Sequence, residues 1–125
     1  MVNLESSQNV TVTMASNPWT KLTVNLTSSS TAGTRKRSGY GVVFYISSTS
    51  SSGAGEFWGG DNASTSHSGG RWCTTLRMVS QGGRSEIWFK ATHTGHVYIQ
   101  ALVPVSATKH TKQVQLATPV HVTIN

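Results

Sequence analysis

The sequence predicts an all-β fold: an antiparallel, jelly-roll-like β-sandwich of about eight strands with long loops rich in Ser, Thr and Gly. Apolar and polar residues alternate along several short stretches, which is typical of strands with one buried face. Gly, Pro and Asn lie between these stretches and indicate turns. The hydroxyl-rich composition, 18 Ser and 17 Thr with only 11% charged residues, supplies the polar loops that such a fold needs.

The clearest strand pattern lies in residues 86–105, EIWFKATHTGHVYIQALVPV. We predict two strands joined in a hairpin, because residues 92–95 are short and polar and end in Gly. The core face is expected to carry Ile87, Phe89, Val97, Ile99 and Val103, and the outer face Trp88, Tyr98 and Leu102. An apolar outer face is unusual for a monomer, so we expect a second sheet or a partner subunit to cover it.

Six further strands are predicted at residues 9–14, 20–26, 40–46, 71–79, 112–116 and 119–124. Residues 40–46, YGVVFYI, form a continuous apolar run, which predicts a central strand covered on both faces. Trp19 follows a Pro at the entry of its strand and is expected to cap the core. Loops of unequal length favour a jelly roll over an immunoglobulin-like sandwich.

The chain length predicts a single domain, residues 1–125, with a core that needs no disulfide or metal. Cys73 is the only cysteine, so no internal disulfide forms. No signal-peptide pattern opens the chain, and no apolar stretch approaches the ~20 residues of a membrane span, so we expect no membrane insertion. The chain begins almost at its first strand and stops within its last, which suggests a module cut from a longer polypeptide.

No catalytic set is evident, and we expect the protein not to be an enzyme. The four acids are Glu5, Glu56, Asp61 and Glu86, and none of them forms a pair opposed across a cleft, as glycosidases require. Asp61 is the only Asp available for a Ser-His-Asp triad, and no Gly-x-Ser-x-Gly motif is present.

Two places offer metal ligands, although we expect no cofactor that the fold requires. Glu56 and Asp61 lie in a predicted Gly-rich loop, where their oxygens are candidate ligands for a loosely held calcium ion. His93 and His96 lie on either side of the predicted turn. A zinc site needs three or four ligands, so we interpret this second pair as exposed turn histidines.

Trp58 precedes two glycines in the same predicted loop, with Asp61 and Asn62 just beyond. An indole on such a loop can stack on a sugar while the two polar side chains bind its hydroxyls. It can equally anchor a protein partner, because Trp is frequent among binding hot spots. A third interpretation is that it folds back over the sandwich.

The net charge of +6 favours anionic partners, or it serves solubility alone. Arg35, Lys36 and Arg37 form the tip of one predicted loop, and a second basic loop covers residues 109–112. Loops of this kind are candidate attachment surfaces. We do not expect nucleic acid as a partner, because no strand pair interleaves aromatic and basic residues in the way of RNA-binding sheets.

Three aromatic residues on predicted strands, Trp72, Trp88 and Tyr98, lie opposite core positions. Together they would form an exposed aromatic patch, which predicts a homodimer interface.

The Ser/Thr/Gly-rich run of short strands, the stretch IWFKATHTGHVYIQALVPV and the ending PVHVTIN resemble the protruding domain of small icosahedral RNA virus capsid proteins of the tombusvirus or nodavirus kind. The resemblance implies a non-enzymatic module on the virion surface that pairs into dimers and meets the host with its outer loops. Some members bind calcium, which implies Glu56 and Asp61 as ligands. The excess of positive charge is not a feature of this family.

Three functions follow as hypotheses. The first is a capsid surface domain for dimer assembly and host-cell attachment, with a host receptor or glycan as partner. The second is a secreted or soluble carbohydrate-binding module, located outside the cell, that uses Trp58, Asp61 and Asn62. The third is a nucleic-acid-binding β-domain that uses the two basic loops.

Overall fold

The computed structural model describes residues 2–6, 8–30, 33–36, 39–47, 51–59, 75–104 and 113–125. Within these ranges the strands are β1 (Val2–Glu5), β2 (Asn9–Val12), β3 (Trp19–Ser30), β4 (Gly33–Lys36), β5 (Gly41–Ile46), β6 (Ala54–Gly59), β7 (Thr75–Val79), β8 (Arg84–His93), β9 (Gly95–Pro104), β10 (Gln113–Gln115) and β11 (Val120–Ile124). Among these residues there is no helix with the length and apolar character needed to cross a membrane.

The strands form two sheets that enclose one core. The first sheet has the order β1-β3-β8-β6, with β4 also paired to β3. The second has the order β2-β11-β9-β5-β7, with β10 also paired to β9. Among the described pairs, β2 and β11 run parallel and the others antiparallel. The predicted all-β sandwich is confirmed.

Three of the strands, β1, β4 and β6, were not predicted. The last two have the sequences GTRK and AGEFWG, whose Gly and charged residues disfavour strands in isolation. They extend because each pairs with a long neighbour, β4 with β3 and β6 with β8. The prediction for residues 40–46 is correct in part: β5 lies between β9 and β7, but its outward Val43 and Tyr45 are only half-buried.

The predicted hairpin at residues 86–105 is wrong in its pairing. Both strands form, but β8 pairs with β3 and β6 in the first sheet, whereas β9 pairs with β11, β5 and β10 in the second. The alternating pattern fits both arrangements, since each strand turns one face to the same core. Residues 92–95 therefore connect two sheets and do not close a hairpin.

The connection between the sheets is tight at Gly95. Its φ is 131°, and a β-carbon at this position would lie 2.7 Å from the backbone nitrogen of Gly53. The backbone amides of Ser52 and Gly53 both donate hydrogen bonds to the carbonyl of His96, at 2.8 and 2.9 Å. The chain just before β6 thus packs directly on the crossing.

Apolar side chains from both sheets meet in the interior. Phe44 of the second sheet lies 6.3 Å from Phe57 of the first, and Phe57 lies 5.8 Å from Phe89, measured between ring centroids. The five residues predicted for the core, Ile87, Phe89, Val97, Ile99 and Val103, are all buried, as predicted. Burial of each large side chain contributes about 1.5–3 kcal/mol, so this core is the main source of stability.

Gln100 is a buried polar residue with its hydrogen bonds satisfied. Its side-chain oxygen accepts from the backbone amides of Leu116 and Ala101, at 2.8 and 2.9 Å. Its side-chain nitrogen donates to the carbonyl of Leu116 at 3.1 Å. These hydrogen bonds hold Leu116, the residue after β10, against β9 at the edge of the second sheet.

Replacing Gly95 by Ala tests the crossing. We expect Gly95→Ala to lower the free energy of unfolding by more than about 2 kcal/mol, because backbone strain adds to the close contact with Gly53. Gly82 also has positive φ, 61°, but open space around it, so Gly82→Ala is the matched control with a cost of about 1 kcal/mol. Urea unfolding measures both, and equal losses would contradict a tight crossing.

A candidate binding face on the first sheet

The register of the first sheet brings three tryptophans to one outward surface. Trp19 lies on β3, Trp88 on β8 and Trp58 on β6. We call this surface the tryptophan face and define it by Trp19, Lys21, Glu56, Trp58, Arg84, Glu86, Trp88 and Lys90. Successive residues of a strand point to opposite sides of the sheet. The residues next to these along the strands are buried, so the tryptophan face points outward; the buried neighbours are Leu22, Phe57, Ile87 and Phe89.

Aromatic and basic side chains are interleaved between β3 and β8 on this face. In one row Lys21 of β3 pairs with Trp88 of β8, which pairs in turn with Trp58 of β6. In the adjacent row Trp19 pairs with Lys90, and Lys90 with Glu56. Aromatic and basic residues therefore interleave between β3 and β8, and whether this surface binds nucleic acid stays a prediction.

Each lysine on the face lies over an indole. The Lys21 ammonium is 5.9 Å from the ring centroid of Trp88, and the Lys90 ammonium is 5.4 Å from that of Trp19. At exposed positions a cation–π contact contributes about 0.5–1 kcal/mol. Trp19 and Trp88 nevertheless remain 40% and 37% exposed. The two rings are thus oriented by their neighbours while a large part of each stays open to solvent.

Glu86 connects the charged groups at one end of the face. Its carboxylate lies 3.1 Å from the Lys21 ammonium and 3.5 Å from Nε of Arg84. It also accepts a hydrogen bond from the Thr23 hydroxyl at 3.4 Å. These groups are partly exposed, so each ion pair contributes less than about 1 kcal/mol. Their effect is to hold Lys21 beside Trp88.

The face is close to neutral within the part of the chain that the structure describes. Its cations are Lys21, Arg84 and Lys90, and its acids are Glu56 and Glu86. A surface that combines indoles with nearly balanced charges can bind an uncharged or weakly charged polar ligand by stacking and hydrogen bonding.

The structure places Trp58 on a strand and not on the predicted loop. The residue lies in β6, in register with Trp88, because the pairing with β8 outweighs the low strand propensity of the flanking glycines. Asp61 and Asn62, the predicted hydrogen-bonding partners of Trp58, lie outside the described residues, as do Arg37 and Trp72.

The structure describes only one of the two candidate calcium ligands. Glu56 lies on β6 opposite Lys90, and Asp61 is outside the described residues. Within the ranges that the structure covers, no group of three or more His, Cys, Asp or Glu side chains is placed to hold a metal. Calcium binding by Glu56 and Asp61 stays a prediction.

The predicted basic loop tip is in part a strand. Arg35 and Lys36 belong to β4, where they pair with Ser28 and Thr27 of β3. The Lys36 side chain is exposed. This strand lies along β3 beyond the end of its pairing with β8, so the two residues belong to the first sheet but not to the tryptophan face.

Trp88 and Tyr98 do not share a surface. Trp88 faces outward from the first sheet, whereas Tyr98 faces outward from the second, between the buried residues Val97 and Ile99. The expectation of one aromatic patch that contains both is therefore corrected. It depended on the predicted hairpin, which would have placed the two side chains in one sheet.

Sequence reasoning missed the roles of Trp19, Lys21 and Lys90. Trp19 was expected to cap the core, but it is one of the most exposed large apolar residues described. The alternation with Leu22 and Val24 already indicated an outward Lys21. Trp19 and Lys21 lie on β3, whereas their cross-strand partners Lys90 and Trp88 lie on β8, far away in the sequence. The interleaving of indoles and lysines is therefore visible only once the pairing of these two strands is known.

No protein-family model matches the sequence, and no curated protein matches it significantly. Among solved structures, the chain is similar to the ASH / PapD-like domain of human CEP192 (PapD-like domain 7), with 12% identity over 99% of this chain and 84% of that chain. The TM-score of this similarity is 0.28.

Neighbouring residues on β8 test the assignment of faces. We expect Phe89→Ala to lower the free energy of unfolding by about 3–5 kcal/mol, because it leaves a cavity between the sheets. Trp88→Ala removes a larger side chain but only from the surface, so we expect a loss of about 1 kcal/mol. Urea denaturation of both variants measures the difference, and a larger loss for Trp88→Ala would reverse the assignment.

Proposed function

We propose that the domain is a non-enzymatic attachment module that binds a short glycan across the tryptophan face. The observation that carries this proposal is the row formed by Trp58 and Trp88, with Trp19 in the adjacent row, on one exposed sheet surface. Neighbouring strands lie about 4.8 Å apart, so indoles on three strands cover roughly 10 Å. That length suits a few linked sugars.

The chemistry of the face matches a carbohydrate. The ring face of an indole carries partial negative charge and attracts the C–H groups on the apolar side of a pyranose. Lys21, Glu86 and Lys90 lie beside the rings, where they can donate to or accept from sugar hydroxyls. An attachment module of this kind needs no catalytic group.

The rings are also held before a ligand arrives. Two of the three indoles have a lysine over them, and all three lie on paired strands of one sheet. The side chains therefore lose little conformational entropy when a ligand binds, which favours high affinity.

Charge favours a glycan over nucleic acid. A nucleic-acid surface must neutralise several phosphates. On this face three cations and two acids leave a net charge of only +1, and Lys21 already pairs with Glu86. We therefore propose a neutral or singly charged oligosaccharide and not a polyanion.

The setting that we propose is the virion surface, on the strength of the sequence resemblance to capsid protruding domains. Host-cell attachment through a glycan would then be the role of this face. An extracellular lectin would use the tryptophan face in the same way. The proposal of glycan binding therefore does not depend on the proposed location at the virion surface.

A second candidate function, dimer assembly, is favoured by the exposure of Trp19 and Trp88. Two copies that pair through the tryptophan face would bury both indoles in a symmetric interface. Tyr98 would not take part, since it lies on the opposite sheet.

Glycan binding is tested with a glycan array followed by calorimetry on the best ligand. We expect Trp58→Ala and Trp88→Ala each to weaken binding at least tenfold, because each removes a stacking surface. Tyr98→Ala, an aromatic truncation on the other sheet, is the matched control and should leave affinity within twofold. The absence of any bound glycan, or an equal loss in the control, would refute the proposal.

Dimer assembly is tested by sedimentation velocity across a wide concentration range. If the tryptophan face forms the interface, the wild type should dimerise and Trp88→Ala should shift the equilibrium towards monomer at least tenfold. A strict monomer at the highest concentration would exclude this second function while leaving glycan binding intact.

A further inference from the structure

The tryptophan face ends in a group of polar and basic residues on β3, β4 and β8. Arg84 of β8 pairs with Asn25 of β3, and Lys36 of β4 pairs with Thr27 of β3. Asn25 and Thr27 flank the buried Leu26, so these two pairs point outward, on the same side as the indoles. Arg84 and Lys36 are exposed. Two cations from separate strands therefore lie at one end of the proposed glycan site.

The turn before β8 brings these two cations together. Gly83 has a φ of 79°, and its carbonyl accepts a hydrogen bond from the Leu26 amide at 2.8 Å. A β-carbon on Gly83 would lie 2.5 Å from the β-carbon of Lys36 and 3.1 Å from its α-carbon. Because Gly83 directly precedes Arg84, the side chains of Arg84 and Lys36 start from neighbouring backbone positions.

We propose that Arg84 and Lys36 bind the carboxylate of an acidic sugar at the end of the glycan. The proposal rests on glycan binding by the tryptophan face and adds the class of ligand, a short oligosaccharide with one terminal carboxylated sugar. The guanidinium group of an arginine presents two parallel N–H groups that match the two oxygens of a carboxylate. Lys36 adds a second positive charge, and the side-chain amide of Asn25 can bond to a sugar hydroxyl as donor or acceptor.

The guanidinium group of Arg84 is oriented by Glu86 but is not enclosed. The contact joins Nε of Arg84 to Oε1 of Glu86 at 3.5 Å. The two terminal nitrogens lie beyond Nε on a side chain that is 63% exposed, so a carboxylate can reach them from solvent. The other oxygen of Glu86 lies 3.1 Å from the Lys21 ammonium, which reduces the repulsion between Glu86 and a bound carboxylate.

The charges at this end of the face favour a single carboxylate. Lys21, Arg84 and Lys36 are cations, and Glu86 is the acid that pairs with the first two. Within the described ranges no acid forms an ion pair with Lys36. Glu5 lies on β1, two strands from Arg84 and about 10 Å away, where salt screens much of its charge. The excess of positive charge is therefore small, which favours one carboxylate over a polyanion.

The spacing between the cations and the indoles sets the length of the ligand. Arg84 precedes Trp88 by four residues on β8, which corresponds to about 13 Å. A chain of a few sugars can therefore place its carboxylate at Arg84 while an inner sugar stacks on Trp88. Glu86 lies between the two, where its carboxylate can accept hydrogen bonds from sugar hydroxyls.

The test is an array of matched oligosaccharide pairs, followed by calorimetry with the full chain. Each pair consists of a trisaccharide that ends in sialic acid or glucuronic acid and the same molecule with its carboxylate converted to an amide. We expect the wild type to bind at least one acid at least tenfold more tightly than its amide. Arg84→Gln should weaken binding of that acid at least tenfold and Lys36→Gln at least threefold, while affinity for the amide stays within twofold.

Arg77→Gln is the matched control. It removes one positive charge from β7 of the second sheet and should leave affinity for the acid within twofold of the wild type. Far-ultraviolet circular dichroism checks that each variant retains its fold. A rise in salt from 50 to 200 mM should weaken binding of the acid less than tenfold, whereas a polyanion that makes several charge contacts would lose about 10³-fold or more.

The proposal is overturned, with glycan binding intact, if the amides bind as tightly as the acids or if Arg84→Gln weakens both forms equally. It is also overturned if Arg77→Gln loses as much affinity as Arg84→Gln, or if sulfated polysaccharides bind more tightly than every singly charged acid. If no oligosaccharide binds in either form, the proposed glycan-binding function fails and this inference fails with it.

Discussion

The chain passes from the first sheet to the second within one residue of the end of β8, and both outer faces depend on that crossing. Gly95 has a positive φ and lies against the backbone of Gly53, where a side chain has no room. Because β8 and β9 lie in opposite sheets, their alternate residues point in opposite directions away from a shared core. Trp88 and Tyr98, ten residues apart, therefore belong to different surfaces with different chemistry.

Packing in the core determines which residues lie on the outward face of each sheet. Phe44, Phe57 and Phe89 pack together between the sheets, and their burial fixes which residues of β5, β6 and β8 point outward. On the first sheet the outward residues include three indoles beside lysines and acids, which is why we propose glycan binding there. On the second sheet, β9 and β11 carry two imidazoles in hydrogen-bond contact.

Much of this fold could be predicted from the sequence, because strands and buried positions follow from local alternation. Ile87, Phe89, Val97 and Ile99 were assigned to the core in that way. Pairing could not be predicted, since a strand shows the same alternation whichever neighbour it meets. Closeness in sequence pairs His96 with His93, whereas the ring that His96 contacts is His121 on another strand. The glycines after Trp58 predict a loop, and a strand forms there because it pairs with the long strand β8.

The most direct test of this account is the measurement of cross-strand nuclear Overhauser effects between backbone protons. The account predicts contacts between Leu22 and Ile87, which join β3 to β8, and between Val97 and Val122, which join β9 to β11. It predicts no ladder of contacts between β8 and β9. A ladder that begins with Ala91 opposite His96 would show a hairpin within one sheet. That result would place Trp88 and Tyr98 on the same surface and contradict the separation of the two outward faces.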